Sequence, residues 1–241
     1  MSADERATGE PDTALLAALR AGLTQAADPS QAEPMRAYMK SALPFLGVKS
    51  PEVRRVCRAV FAAHPLTSFA RWEATIRALW REARYREERY AAIALAGYRR
   101  YRDYQTLDAL PLYEEMIVSG AWWDLVDALA IHQIGGLLRR YPERMRATIL
   151  AWSRDANLWR RRAAILCQNS LKAATDEALL FACIEPNLDA SDFFIRKGIG
   201  WALREYAKTS PDAVLRFVRE HASEISPLTR REALKHLGGA P

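Results

Sequence analysis

The stretch AWWDLVDALA, residues 121–130, sets a carboxylate, Asp127, four residues after a large aromatic, Trp123. On a helix that spacing stacks both side chains on one face, one turn apart. An indole face attracts positive charge, and a fixed carboxylate stabilises a cation that develops beside it. The pair therefore has the makings of a site for a flat, cationic ligand. A second carboxylate, Asp124, lies about 100° round the helix from Trp123 at 3.6 residues per turn, so Asp127 is the stronger candidate. Its surroundings, LVDALA, are apolar. A carboxylate desolvated there must be paired, protonated or used.

The elements that would position these side chains are helices. TALLAALRAGLTQAA, PEVRRVCRAVFAAH, SFARWEATIRALWREA, REERYAAIALAGYRRY and PDAVLRFVREHASEI all repeat apolar residues at i, i+3, i+4 and i+7. Pro51, Pro65, Gly120, Pro142, Pro186, Pro211 and Pro227 punctuate the pattern at short intervals. No stretch alternates like a strand. The chain reads as all-α, about a dozen short helices.

Those helices recur at a fixed step. YAAI, VDAL, RAAI, KGIG and REAL start at 90, 126, 162, 197 and 231, steps of 36, 36, 35 and 34 residues. A near-constant step points to stacked helix pairs, each burying its apolar stripe against its neighbours. The step lies near the ~34 residues of TPR units and below the ~40–47 of HEAT units, but the TPR aromatic pattern is missing. The expected fold is a HEAT-like helical-repeat solenoid with a concave groove: one domain over 13–241, after a disordered tail over 1–12.

One position after each start stand Ala91, Asp127, Ala163, Gly198 and Glu232. Three of these are small, as close helix packing demands, and Asp127 is the central exception. With the start as zero, Trp123 lies at −3, Asp127 at +1, Arg162 at 0 of the next unit and Trp201 at +4 of the one after. If equivalent helices stack side by side, these four line one surface across three units. Two indoles hold a flat ring, a carboxylate stabilises a cation or orients water, and an arginine holds a phosphate. Alkylated purines such as N3-methyladenine and N7-methylguanine are flat and cationic, and their glycosidic bond is weak because the departing base already carries charge. An enzyme acting on them must hold the nucleotide, stabilise an oxocarbenium-like sugar and admit water.

YMKSALPFLGVKSPEVRRV (38–56), WWDLVD (122–127), LWRRRAAIL (158–166) and FFIRKGIGWALREYAKTSP (193–211) resemble the AlkD-type alkylpurine DNA glycosylases. The likeness runs in order over most of the chain, and RKGIGWALREY is its strongest motif. The resemblance implies HEAT-like repeats and hydrolysis of the N-glycosidic bond of N3- and N7-alkylpurines in duplex DNA, leaving an abasic site. It implies Asp127 as the catalytic carboxylate, Trp123, Trp201 and Tyr38 as substrate-binding aromatics, and Arg162 as a phosphate-binding residue. Arg204, in WALREY, is a further candidate for a DNA phosphate.

The remaining residues set limits. The net charge of +6 favours acidic partners, nucleic acid first. Cys57, Cys167 and Cys183 form no metal-ligand spacing, and there is no phosphate-binding loop, dinucleotide fingerprint or HEXXH. No metal and no organic cofactor are expected. No lysine stands clearly beside the stripe as a Schiff-base nucleophile, so a monofunctional glycosylase is expected. The polar N-terminus and the lack of an apolar run of ~20 residues point to a cytoplasmic protein off the membrane, a monomer by default. Trp122, Trp72, Trp80, Trp152 and Trp159 read as packing residues, and His132 as a helix-end histidine rather than a base. The competing function is a non-catalytic repeat module that binds DNA or protein. Asp127 argues against it, because a groove that only binds DNA gains nothing from a carboxylate facing phosphates.

Overall fold

The computed structural model describes residues 9–237. Their backbone forms helices α1 (Thr13–Gln25), α2 (Pro29–Met39), α3 (Ser50–Ala63), α4 (Phe69–Arg81), α5 (Arg86–Ala96), α6 (Leu110–Gly120) and α7 (Trp123–Ala128). There follow α8 (Gly135–Arg140), α9 (Pro142–Trp152), α10 (Leu158–Leu166), α11 (Glu177–Ile184), α12 (Phe193–Ala207), α13 (Pro211–Glu220) and α14 (Pro227–Ala233). No strand forms among the described residues, as the periodicity requires.

Helix starts follow the punctuation. Pro29, Pro142, Pro211 and Pro227 each occupy the first helical position, where a missing N–H costs nothing. Asp12, Asp28, Ser68, Asn157, Asp176, Asp192 and Ser226 accept hydrogen bonds from first-turn amides. Of the expected N-terminal tail, residues 1–8 lie outside the described residues. Asp12 is fixed: its amide donates to Thr75 Oγ1 at 2.9 Å and its carboxylate caps Leu15 at 2.8 Å. One apolar run stops early. The pattern over 86–101 continues past Gly97, yet α5 ends at Ala96, and Gly97 is its C-cap.

The chain folds as two compact units, Met1–Leu112 and Tyr113–Pro241. In the first, α1, α3, α4 and α5 pack on one another around Leu15, Leu19, Phe61, Trp72, Ile76 and Trp80, all fully buried. In the second, α7 packs on α10, α10 on α12, and α12 on α14. These are the helices that carry the repeat starts Val126, Arg162, Lys197 and Arg231, so equivalent helices do stack in series. Small residues set their spacing. A Cβ on Gly200 would lie 2.5 Å from that of Glu232, and one on Gly135 would lie 2.3 Å from the Cys167 carbonyl oxygen. Trp72, Trp80, Trp152 and Trp159 are buried, as expected of packing aromatics.

Candidate active site

Helix α7 enters through a corner. Ala121 has φ of +43°, a left-handed conformation costly for a residue with a Cβ. Trp122 is extended and is the N-cap, and the amides of Leu125 and Val126 donate back to its carbonyl at 3.2 and 3.0 Å. Directly after α7 the backbone widens into a π-helical segment, Leu129–Ile134. Such segments recur at functional sites, and the periodicity alone reads this stretch as ordinary helix. The segment ends at Gly135, where the backbone approaches the α10 C-terminus too closely for a side chain.

Asp127 is the buried acid of α7. Both of its oxygens face Arg162 of α10: Nε donates to Oδ1 at 2.7 Å and Nη2 to Oδ2 at 2.8 Å. The third guanidinium nitrogen, Nη1, donates to the Phe194 carbonyl at the start of α12. Gly198, one turn further along α12, makes room for this arginine, since a Cβ there would stand 3.1 Å from Nη1. The small residue at that repeat position thus exists for the guanidinium. Three of five guanidinium N–H groups are engaged, and two remain for another acceptor.

The electrostatics of the pair oppose one another. Burial pushes the Asp127 carboxyl above the ordinary carboxylate range, and the Arg162 hydrogen bonds and charge pull it back. Nearby Asp124 adds to the upward push. A bidentate guanidinium fork orients the carboxylate as well as holding its charge.

The two indoles stand on the helices to either side of α10, the helix that carries Arg162. Trp123 precedes Asp127 by one turn on the same face of α7 and is half-buried. Trp201 is also half-buried and lies one turn beyond Gly198 on α12. Its Nε1 donates to Glu205 Oε1 at 3.3 Å. Neither indole is sunk into helix packing. Trp122, by contrast, joins Trp159 and Phe194 in a ring cluster, with centroids 6.4 and 5.3 Å from its own.

Two further predicted site residues have surroundings of their own. Arg204 turns to α14, where its Nη1 donates to Glu232 Oε2 at 2.6 Å, and Lys197 donates to Oε1 of the same carboxylate at 2.8 Å. These two cations draw the Glu232 carboxyl below its usual range, Lys197 more than Arg204. Tyr38 belongs to α2 in the first unit and is 77 % exposed. His132 is exposed in the π-helical segment. Sequence reasoning placed Arg162 beside Asp127 but foresaw neither their direct pairing nor the roles of Phe194 and Glu205. The signal for the pairing was Gly198 at the equivalent repeat position of the next helix but one, which leaves room for the Arg162 guanidinium.

The family model for DNA alkylation repair enzyme matches residues 19–237. The chain belongs to this DNA alkylation repair enzyme family. A solved structure described as a predicted DNA alkylation repair enzyme from Enterococcus faecalis superposes with a TM-score of 0.80 at 31 % identity. That match covers 89 % of this chain and 98 % of the other. No curated protein matches the chain. The stacked helices that carry Asp127, Arg162 and Trp201 all lie inside the span matched by the family.

Proposed function

We propose that this chain is a monofunctional DNA glycosylase, hydrolysing the N-glycosidic bond of cationic N3- and N7-alkylpurines in duplex DNA. Free base leaves, and an abasic site remains. One observation supports this: a buried carboxylate is gripped by a single arginine, on stacked helices that also carry two half-buried indoles.

The chemistry follows from the charges. As the C1′–N bond stretches, positive charge moves from the base onto the sugar. Asp127 stabilises that charge and orients the attacking water. Trp123 and Trp201 pack against the lesion nucleotide and attract its charge through their faces. Arg162 keeps Asp127 ionised and aligned, and its two uncommitted N–H groups are the donors for a neighbouring phosphate. Lys197, the lysine of α12 nearest this stripe in sequence, is engaged by Glu232, which suits hydrolysis without a Schiff base. Tyr38 is assigned to the DNA from the first unit. Arg204 gives Nη1 to Glu232, and its other guanidinium N–H groups are its donors for a phosphate. A protein of this kind works wherever the cell keeps its DNA, in the cytoplasm of a cell without a nucleus.

The test is base release from duplex DNA carrying N7-methylguanine. Wild type releases the base, and Asp127→Asn releases almost none while keeping its helical signal. Equal release by both proteins refutes the catalytic role of Asp127. No release by wild type, with tight and salt-dependent duplex binding, establishes the non-catalytic DNA-binding module instead.

A further inference from the structure

We propose that Glu205 is a positioning residue for Trp201, a role that rests on the glycosylase reading of the Asp127 site. Trp201 has Gly198 one turn before it and Glu205 one turn after it on α12. Gly198 is where Arg162 passes, so along α12 the contact with the Asp127–Arg162 pair precedes the indole and Glu205 follows it. The Glu205 carboxylate is divided between two donors. Oε1 accepts from the Trp201 indole N–H at 3.3 Å, and Oε2 accepts from Lys208 Nζ at 2.6 Å.

An exposed ion pair at i,i+3 adds little stability by itself. Here Lys208 and Glu205 are 57 % and 25 % exposed, so the value of the pair lies in geometry. A half-buried indole rotates about two side-chain torsions unless its N–H is held. Trp122 is held differently, by ring packing on Trp159 and Phe194, and its buried Nε1 has no hydrogen-bond partner. A charge-assisted bond to a carboxylate, itself pinned by a lysine, fixes the plane in which the Trp201 face meets a ligand. Rates depend steeply on such alignment. Glu205 and Lys208 also border a cavity of about 390 Å³, so shortening Glu205 leaves no hole in the core.

The experiment compares wild type, Glu205→Ala and Glu205→Gln in ¹⁵N-labelled protein, with Trp201→Phe identifying the Trp201 indole signal. In E205A the Trp201 indole N–H moves upfield and exchanges faster, while the other indole signals stay in place. Release of 7-methylguanine falls about tenfold in kcat/KM, the size typical of removing a group that orients a functional side chain. E205Q, which keeps an oxygen acceptor, restores both the signal and most of the rate. A Trp201 signal in E205A that coincides with wild type overturns the proposal, as does an E205Q protein as impaired as E205A. If wild type releases no base, the glycosylase reading fails, and the indole signal still decides whether Glu205 holds Trp201.

Discussion

Two buried carboxylates, Glu87 in the first unit and Asp127 in the second, are held in opposite ways. Glu87 of α5 is fully buried and accepts from three successive backbone amides, Leu46, Gly47 and Val48, at 2.9 to 3.1 Å. Asp127 of α7 accepts from one side chain, Arg162. Backbone amides are neutral and cannot leave, so Glu87 is a rivet that fixes the segment ahead of α3. A guanidinium carries charge and has spare donors, so Asp127 stays oriented and ionised beside half-exposed indoles. Burial of an acid is therefore no sign of function by itself, and neither is an arginine partner: Glu88, also buried on α5, accepts from Arg20 Nε at 2.9 Å.

The backbone next to each acid differs in the same sense. The segment bound by Glu87 takes its left-handed residue at Gly47, φ +82°, where glycine is at ease and a Cβ would lie 2.0 Å from the Asp28 carbonyl oxygen. The corner before Asp127 takes its left-handed residue at Ala121, where strain is retained. Strained backbone of this kind is found more often near functional sites than elsewhere.

The largest expected effect separates the two acids by activity. Asp127→Asn lowers base release on the order of 10³-fold, the scale of removing one preorganised electrostatic group, and single-turnover assays on N7-methylguanine duplexes measure it. A loss under tenfold would erase the contrast with Glu87. The mirror variant, Glu87→Ala, strands three buried amides and costs about 3–5 kcal/mol of stability at about 1–3 kcal/mol for each unmet group, less what relaxation and water recover. Urea unfolding measures this, and the activity of the folded fraction stays at the wild-type level. An E87A protein that folds normally but releases no base would reverse the two roles.

A third expectation concerns pH. Burial first, and then the Asp124 charge, raises the Asp127 carboxyl against the pull of Arg162. A carboxyl raised in the folded state binds its proton more readily there than in the unfolded chain. Its ionisation thus opposes folding as pH rises from the unfolded value through the folded one. On the glycosylase reading, activity falls as pH drops through that raised value, so the acid limb of kcat/KM lies above the ~3.9 of a free aspartate. Glu232 has the opposite sign: its carboxyl is lowered, and its contribution to stability is present above the ordinary glutamate value and lost as pH falls through the folded one. An acid limb at or below the free-aspartate value would mean that Arg162 outweighs burial.

The smallest effect tests the corner. Ala121→Gly relieves a left-handed conformation worth about 1–2 kcal/mol and gives back about 0.4–1 kcal/mol of chain entropy, a net gain of about 0.8 kcal/mol in stability, read from the urea midpoint. A lower rate alongside that gain would tie the strain to the placement of α7. A gain with no change in rate would make the corner a cost of topology.

The all-helical class, the 34- to 36-residue step and the shared face of Trp123 and Asp127 are matters of local period, and the amino-acid order alone determined them. A period of 3.6 residues is written in near neighbours and needs no distant partner to be read. The donors to Asp127 and Glu87, the turn of Arg204 toward Glu232, and the widened segment at 129–134 were decided only by the tertiary structure. Their hydrogen-bond partners lie some 28 to 41 residues apart, or their geometry answers to a backbone approach such as Gly135 on Cys167. The pattern names the charged groups, but which donor reaches which acceptor depends on where helices distant in the chain come to rest.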